Sequence, residues 1–363
     1  MKRRLWAVIL TLAMTLPLTG CIDTVSIGER LLVQAMGIDG GPEGFTITLQ
    51  VFTPAPAGQQ QGGSTGTVSA SDENLAECLS KIYRDTGKRP FFGGCRLVLL
   101  GKDVYPESRE EVTGLLLSDH ELRPGTPLLL TEDAAALTAA VYDGESVPAV
   151  RLEEVWQTAC REGLCPESTL LTVIRSQQSL GETSALAVIA DAGGAPVIEG
   201  TAIFPPDDIP LSLTPEAWRG AAILTGGAEA MEYRIPYRGG ELRVCLHSQA
   251  VLGPGEQDGS LRLTVDIGCS VLGYTGDKLH WESEEAAGIR AAVERTVRRE
   301  TETAFSLLRE TGADVFCGLE TVKKFFPDHW QGHSREEIWD SLTLTVDAAV
   351  RITSLGPGAD ASR

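Results

Sequence analysis

The alternation of apolar and polar residues is clearest in the last third of the chain. Apolar residues alternate with polar ones over 242–246, again over 261–271 and a third time over 342–352. Strict alternation is typical of a strand that buries one face and exposes the other. We therefore predict three long strands whose apolar faces share one core.

A long amphipathic helix is predicted between the second and third of these strands. Its apolar positions recur every three or four residues, from Ser283 to a C-capping Gly312. Its predicted buried stripe comprises Ile289, Val293, Val297, Ala304 and Leu308. A strand, strand, long helix, strand order is typical of an antiparallel sheet with a helix across one face.

The first half of the chain is patterned less regularly. Residues 45–51 alternate as a half-buried strand, and 185–190 with 197–204 form a predicted hairpin across a Gly-Gly turn. Ser71 is a candidate N-cap for the helix that follows it. The Pro-, Gly-, Gln- and Ser-rich segment 54–69 indicates a flexible exposed loop. The fold class is therefore predicted as α+β and multi-domain, with mostly antiparallel or mixed sheets and a C-terminal sheet packed by one long helix.

The N-terminus has the features of an export signal. Three basic residues precede a short apolar run, and Leu-Thr-Gly-Cys ends it at Cys21. The run is shorter than the ~20 residues that span a bilayer. This pattern matches a bacterial lipobox, so 1–20 is predicted as a lipoprotein signal peptide. Cys21 is predicted to carry diacylglycerol and further acyl chains, which anchor the chain outside the cytoplasm.

The 363 residues suggest two or three domains. We predict an N-terminal domain over 21–193 and a C-terminal α+β domain over 194–358. The latter is alternatively divided into a small middle module, 194–240, and a module over 241–358. The hairpin over 185–204 could belong to either side of the boundary.

The charge of the chain restricts its partners. Removal of Lys2, Arg3 and Arg4 with the signal peptide leaves 28 basic and 50 acidic side chains, a formal net charge of −22. Nucleic-acid binding needs a basic face, and so does electrostatic docking to anionic lipids. We therefore expect no nucleic-acid partner, and membrane attachment through the acyl chains alone.

Seven cysteines remain besides Cys21, and an odd number cannot all pair. Most lie in apolar patterns, so we interpret them as free thiols that behave as small hydrophobic residues. Cys160 and Cys165 are the best candidates for a disulfide.

The sequence offers little for catalysis or metal binding. It has no nucleophile elbow and no phosphate-binding glycine loop. His329 and His333 have a helical metal-ligand spacing, but Pro327 and Gly332 interrupt the segment. We predict no enzymatic activity, no catalytic residue, no metal site and no cofactor apart from the acyl chains.

Two groups of residues are candidates for docking a partner. Asp119, Glu121 and Arg123 form a charged corner after an apolar helix, where local ion pairs are the alternative interpretation. Trp330 and Trp339 lie in an aromatic-rich tail. Tryptophan is favoured at interface hot spots, although core packing is the alternative here.

Several segments follow one another in an order that is typical of a known family. They are the lipobox with Cys-Ile-Asp at 21–23, Ala-Met-Gly-Ile-Asp at 35–39, 92–101, Ser-Asp-His-Glu-Leu-Arg at 118–123, Gly-Thr-Ala-Ile-Phe at 200–204, 313–318, Pro327, Trp330 and Trp339. Together they resemble the Ger(x)C family of spore germination lipoproteins. Ile22, Cys95 and Ser118 stand where the family usually has an aromatic residue, His and Arg. The match runs from Cys21 to Gly356.

The resemblance implies a non-enzymatic subunit of a spore nutrient germinant receptor. Such a subunit is tethered to the outer face of the spore inner membrane and works with two integral membrane subunits. The implied fold is α+β, in up to three modules. The alternatives are an extracytoplasmic solute-binding lipoprotein, which needs two α/β lobes, and a wall hydrolase, which needs an acid/base pair or a metal.

Overall fold

The computed structural model describes residues 27–41, 44–54, 63–206, 209–276 and 283–355. The predicted signal peptide and Cys21 lie outside these ranges. The described residues form two mixed β-sheets with helices packed against them, which confirms the predicted α+β class.

The strands of the first sheet come from the first 213 residues. They are β1 (Arg30–Gly41), β2 (Gly44–Thr53), β3 (Ser64–Asp72), β4 (Arg89–Phe91), β5 (Leu97–Gly101), β6 (Leu128–Thr131), β7 (Ser184–Asp191), β8 (Pro196–Phe204) and β9 (Leu211–Leu213). The helices between them are α1 (Leu75–Thr86), α2 (Val104–Ser118), α3 (Ala134–Ala139), α4 (Pro148–Arg161) and α5 (Leu170–Gln177).

The second sheet and its helices follow. Its strands are β10 (Met231–Tyr237), β11 (Gly240–Pro254), β12 (Ser260–Tyr274) and β13 (Thr343–Leu355). The helices of this part are α6 (Pro215–Leu224), α7 (Ser283–Glu310), α8 (Gly318–Phe325), α9 (Pro327–Gly332) and α10 (Arg335–Ser341).

The first sheet has the order β3-β2-β1-β5-β6-β7-β8-β9, with β4 beside β1. Strands β1, β5, β6 and β7 run parallel, whereas the outer pairs are antiparallel. Helices connect the parallel strands and cover both faces. The β5 residues Val98 and Leu100 therefore pack into one core, and Leu97 and Leu99 pack into another. This explains why β5 reads as a continuous apolar run.

The second sheet buries one face only, as its alternating pattern predicts. The alternating apolar residues of β11 (242–246), β12 (261–271) and β13 (344–352) face one core, together with the predicted stripe of α7. Every residue of that stripe is buried. The long helix therefore lies across the inner face of this sheet, as predicted.

The last strand differs from the antiparallel pattern that the order of elements suggested for the C-terminal sheet, and makes this sheet a mixed one. β13 pairs in parallel with β12, from Ser260 opposite Thr343 onwards. A 28-residue helix rises by roughly 40 Å, enough to return the chain to the starting end of β12. Parallel neighbours need such a long crossover, whereas antiparallel strands can be joined by a short turn.

The predicted hairpin over 185–204 is present as β7 and β8. Both strands belong to the first sheet, so its hydrogen bonding continues across the boundary predicted between residues 193 and 194. On β8, Phe204 packs into the core of the first sheet and Ile203 into the core of the second. This one strand thus joins the two halves of the molecule, and the domain division stays a prediction.

The prediction of a flexible loop over 54–69 is wrong for residues 64–69. Residues 64–69 belong to β3, which pairs antiparallel with β2. Residues 55–62 lie outside the described residues. Polar Thr and Ser residues are compatible with an exposed edge strand, and β2 supplies the backbone hydrogen bonds that composition does not reveal.

The predicted cap at Ser71 is also wrong, because Ser71 lies within β3. Helix α1 is instead capped by Asn74, whose side-chain oxygen accepts hydrogen bonds from the backbone N–H groups of Ala76 and Glu77.

No helix in the described ranges is long and apolar enough to cross a membrane.

Candidate functional site

The charged corner that follows α2 is held mainly by its own neighbours. The Glu121 carboxylate pairs with Arg30 at 2.5 Å and accepts the backbone N–H of Phe92 at 3.3 Å. The Asp119 carboxylate accepts the backbone N–H of Glu121 at 2.8 Å. Arg123 is exposed and donates one long hydrogen bond, 3.4 Å, to the carbonyl of Cys95. Of the three predicted docking residues in this corner, Arg123 is thus the best placed to meet a partner.

The two tail tryptophans pack against the core of the second sheet. The Trp339 indole N–H donates to the carbonyl of Arg309 at 2.9 Å, and its ring stacks on Phe316. Trp330 is partly buried, with the Lys323 ammonium 5.7 Å from its ring centroid. These contacts favour core packing for Trp339. The tryptophans and the charged corner contact different residues of the chain. Docking of a partner protein at either group stays a prediction.

A cleft lies between the two halves of the molecule. One wall comes from α4, α5 and the segment between them, and the other from α6 and residues 227–229. Its volume is about 1020 Å³, the size of a small-molecule site. Sequence reasoning did not predict this cleft.

The cleft combines aromatic and charged side chains. Trp156 and Trp218 line it and are buried, whereas Arg161, Arg175, Glu167 and Glu229 line it and are exposed. These residues come from separate elements, and most fall in a stretch that lacks a clear periodic pattern. No motif or spacing connects them, so the only signal in the sequence is the presence of two isolated tryptophans.

Backbone hydrogen bonds join the two halves at Arg161, which also lines the cleft. The Arg161 carbonyl accepts the backbone N–H groups of Glu229 and Ala230 at 3.0 and 2.8 Å. Elsewhere on the same junction, the Leu180 N–H donates to the Glu320 carboxylate at 2.5 Å. The two walls are therefore connected by backbone contacts as well as by packing.

Two cysteines also line the cleft. The sulfurs of Cys160 and Cys165 lie 3.6 Å apart, and both residues are free thiols. The contact with the Cys165 sulfur, followed by burial, raises the pKa of Cys160 above its ordinary value. The pair is close, as the sequence suggested, but it is not bonded.

The described residues hold no cluster of three His, Cys, Asp or Glu side chains that could bind a metal ion. The rings of His329 and His333 do lie together, with centroids 4.3 Å apart. A pair of imidazoles without a third ligand is a weak basis for a zinc site.

Comparison with known families gives two matches in chain order. Residues 23–190 match the "Spore germination protein N-terminal domain", and residues 199–356 match "Spore germination B3/GerAC like, C-terminal". The chain belongs to the Ger(x)C family of spore germination proteins. The first matched region ends in β7 and the second begins in β8, the strand that contributes to both cores.

A solved structure supports the family fold. The match, titled "Crystal Structure of the GerBC protein", has a TM-score of 0.54 and 15% sequence identity. It covers 92% of this chain and 99% of the GerBC chain. No curated protein matches significantly. The chain therefore shares its overall α+β fold with GerBC at low sequence identity.

Proposed function

We propose that this protein is a lipid-anchored, non-enzymatic subunit of a spore nutrient germinant receptor. The observation that carries the proposal is the pair of Ger(x)C domains, matched in order over nearly all of the chain that follows Cys21. The lipobox supports an anchor, because two or more acyl chains give stable membrane attachment.

The proposed mechanism is mechanical. The acyl chains on Cys21 hold the protein at the outer face of the spore inner membrane, and the folded body packs on two integral membrane subunits. It either completes the receptor or clusters receptors together. The absence of a catalytic motif in the sequence supports a non-enzymatic role, and release of muropeptides by the purified protein would overturn that part.

The test is germination of spores that lack this gene and any redundant receptor genes. Dipicolinate release is measured separately for a nutrient mixture and for a non-nutrient trigger. We expect loss of the nutrient response alone, restored by the wild-type gene but not by Cys21→Ala. Cys245→Ala, at a partly exposed cysteine of β11, is the matched control and should restore germination.

Two results would contradict this proposal. An unchanged nutrient response in the deletion strain would exclude a receptor subunit. Full restoration by Cys21→Ala, with the variant protein in the soluble fraction, would exclude a need for the anchor.

One observation favours a second candidate, an extracytoplasmic solute-binding lipoprotein. This is the cleft between the two halves, since solute-binding proteins hold ligands between lobes. The shared strand β8 is a less hinge-like connection than that class requires. A solute-binding protein would leave the nutrient response of the deletion strain intact, which distinguishes the two candidates.

A further inference from the structure

The thiols of Cys160 and Cys165 lie on either side of the turn that ends α4. Their sulfurs are 3.6 Å apart, and both thiols are free. Between them Gly163 has a positive φ of 67°, and the N–H of Leu164 donates to the carbonyl of Ala159 at 2.9 Å. This turn folds the chain back on the end of the helix, so the two side chains meet.

The separation of the two sulfurs is short enough for a disulfide to form. Bonded sulfurs lie about 2.0 Å apart, so these two would have to approach by roughly 1.6 Å. The S–H of Cys160 donates to the carbonyl of Pro166 at 3.3 Å, and a thiol is a weak donor. Loss of this contact therefore opposes the bond only slightly.

The two thiols differ in their access to solvent. Cys160 is partly exposed and lines the cleft, whereas Cys165 is 3% exposed. Cys78, Cys95 and Cys269 are fully buried. A small reagent that enters the cleft therefore reaches Cys160 first, with the second thiol directly behind it.

The turn that carries the two thiols packs on the second half of the molecule. A Cβ atom on Gly163 would lie 3.0 Å from the side chain of Met231 and 3.1 Å from that of Ala228. The Arg161 carbonyl accepts two backbone N–H groups from the segment before β10, at 3.0 and 2.8 Å. The thiols thus flank the turn through which the first half contacts the start of the second sheet.

We propose that Cys160 and Cys165 are a redox-active pair, which a small-molecule disulfide converts to an internal disulfide that fixes this turn. The Cys160 thiolate attacks one sulfur of the reagent and displaces the other half of the reagent as a thiolate, which takes up the proton that Cys160 lost. The Cys165 thiolate then attacks the Cys160 sulfur and displaces the second half in the same way. Two protein thiols are oxidised, one reagent disulfide is reduced to two thiols, and an excess of a dithiol reverses the reaction.

The internal disulfide should stabilise the folded protein. It closes a short loop over residues 160–165, which removes conformational entropy from the unfolded chain. Because the closed loop carries the contacts between the halves, we expect the midpoint of thermal unfolding to rise by about 3–5 °C on oxidation.

The test is oxidation of the folded full-length protein, in detergent, by oxidised glutathione. The reaction is run at about pH 8.5, because the thiolate is the nucleophile and the raised pKa of Cys160 slows its attack near neutral pH. Remaining thiols are alkylated, and the protein is digested with trypsin. Cleavage after Arg161 separates the two cysteines into peptides 152–161 and 162–175.

We expect mass spectrometry to show these two peptides linked, with a mass two hydrogen atoms below their sum. A reducing agent should separate them and return the unfolding midpoint to its starting value. Protein unfolded in urea serves as the check on the reagent, since all of its thiols are accessible and should be oxidised.

Two variants assign the effect to this pair. Cys160→Ser replaces a partly exposed thiol by a hydroxyl of similar size, so the variant should fold as the reduced wild type does. It should give neither the linked peptides nor the shift in midpoint. Cys317→Ser, at an exposed cysteine before α8, is the matched control and should retain both.

Three results would overturn the proposal. In the first, the folded protein gives no linked peptides although the reagent oxidises the thiols of the unfolded protein. In the second, glutathione stays on Cys160 while Cys165 is recovered alkylated, which would show that the second thiol cannot complete the reaction. In the third, the peptides are linked but the midpoint is unchanged, so the bond does not fix the turn.

These results are independent of the germination assay. A receptor subunit whose thiols stay reduced would still be needed for the nutrient response, and a redox-active pair could occur in a protein with no part in germination. The two proposals can therefore fail separately.

Discussion

Asp314 is a buried carboxyl group at the start of the segment that leads into α8. Its oxygens accept the backbone N–H groups of Gly318 and Leu319 at 2.7 and 3.0 Å. Burial raises the pKa of Asp314 from 3.8 to about 6, although the two hydrogen bonds partly oppose this. The side chain orders the turn before α8, but it ionises less readily in the folded protein than in the unfolded chain.

The raised pKa of Asp314 predicts a specific pH dependence. The folded state holds this proton up to a pH of about 6, whereas the unfolded chain releases it near its ordinary pKa of 3.8. The free energy of unfolding therefore falls by about 3 kcal/mol in total as the pH rises between these two values. Above pH 6 the contribution of Asp314 no longer changes with pH.

Asp314→Asn removes this dependence. The free energy of unfolding of the variant minus that of the wild type should increase by about 3 kcal/mol as the pH is raised from about 4 to 7. Urea unfolding at several pH values measures the difference. A difference between the two proteins that is constant over this range would contradict the assignment.

A substitution at Trp339 distinguishes a role in core packing from a role in docking a partner. Trp339→Phe keeps an aromatic ring on Phe316 but removes the N–H that donates to Arg309. The free energy of unfolding should fall by about 1 kcal/mol. Phe325→Leu, which keeps an apolar side chain at a phenylalanine of α8 that is 45% exposed, should change it by less than about 0.5 kcal/mol. Equal stability of Trp339→Phe and the wild type would leave docking as the reason for this tryptophan.

At the scale of elements, α6 and α7 come unusually close at Gly220. A Cβ atom on this residue would lie 2.2 Å from the carbonyl oxygen of Glu300 and 2.8 Å from Ala304. The obstacle is helix backbone, which cannot move aside as a flexible side chain can. The absence of a side chain at Gly220 therefore sets the spacing of the two helices over the second sheet.

Gly220→Ala should separate these helices and lower the free energy of unfolding by about 1–3 kcal/mol. Gly114→Ala is the matched substitution, in an exposed position of α2 where a Cβ meets nothing within 4 Å. There alanine should stabilise the protein by about 0.5–1 kcal/mol, because glycine is a poor helix former. Thermal unfolding of both variants measures the two effects, and the same sign for both would contradict the helix contact.

At the scale of the whole molecule, the two sheets are connected through β8. This strand completes the first sheet beside β7, and its Phe204 ring packs on Tyr105 with centroids 4.9 Å apart. Its neighbour Ile203 faces the other core. A cut between residues 193 and 194 would therefore divide a hairpin rather than a linker.

Two fragments test this connection. Both begin at residue 22, after the predicted signal peptide and lipidation site. Residues 22–193 lack β8 and leave the edge of β7 unpaired, whereas residues 22–213 retain both β8 and β9. We expect the shorter fragment to aggregate, since an exposed apolar edge strand is an association site. The longer fragment should have a higher soluble fraction in size-exclusion chromatography. A shorter fragment that is monomeric and unfolds cooperatively would show that β8 is dispensable for the first domain.

The sequence by itself determined the elements whose pattern is local. The alternation along β11, β12 and β13 and the stripe of α7 follow from the period of each element, so they could be predicted residue by residue. The ordered motifs that identify the Ger(x)C family are local as well, and both family matches agree with them.

Only the tertiary structure decided what depends on segments far apart in the chain. The direction of β13, the pairing of β3 with β2 and the membership of β8 in the first sheet each rest on hydrogen bonds to another strand. The cleft that holds Trp156 and Trp218 exists because two separate helices face each other. Such contacts are chosen by the packing of the whole chain, and no periodicity within a segment records them.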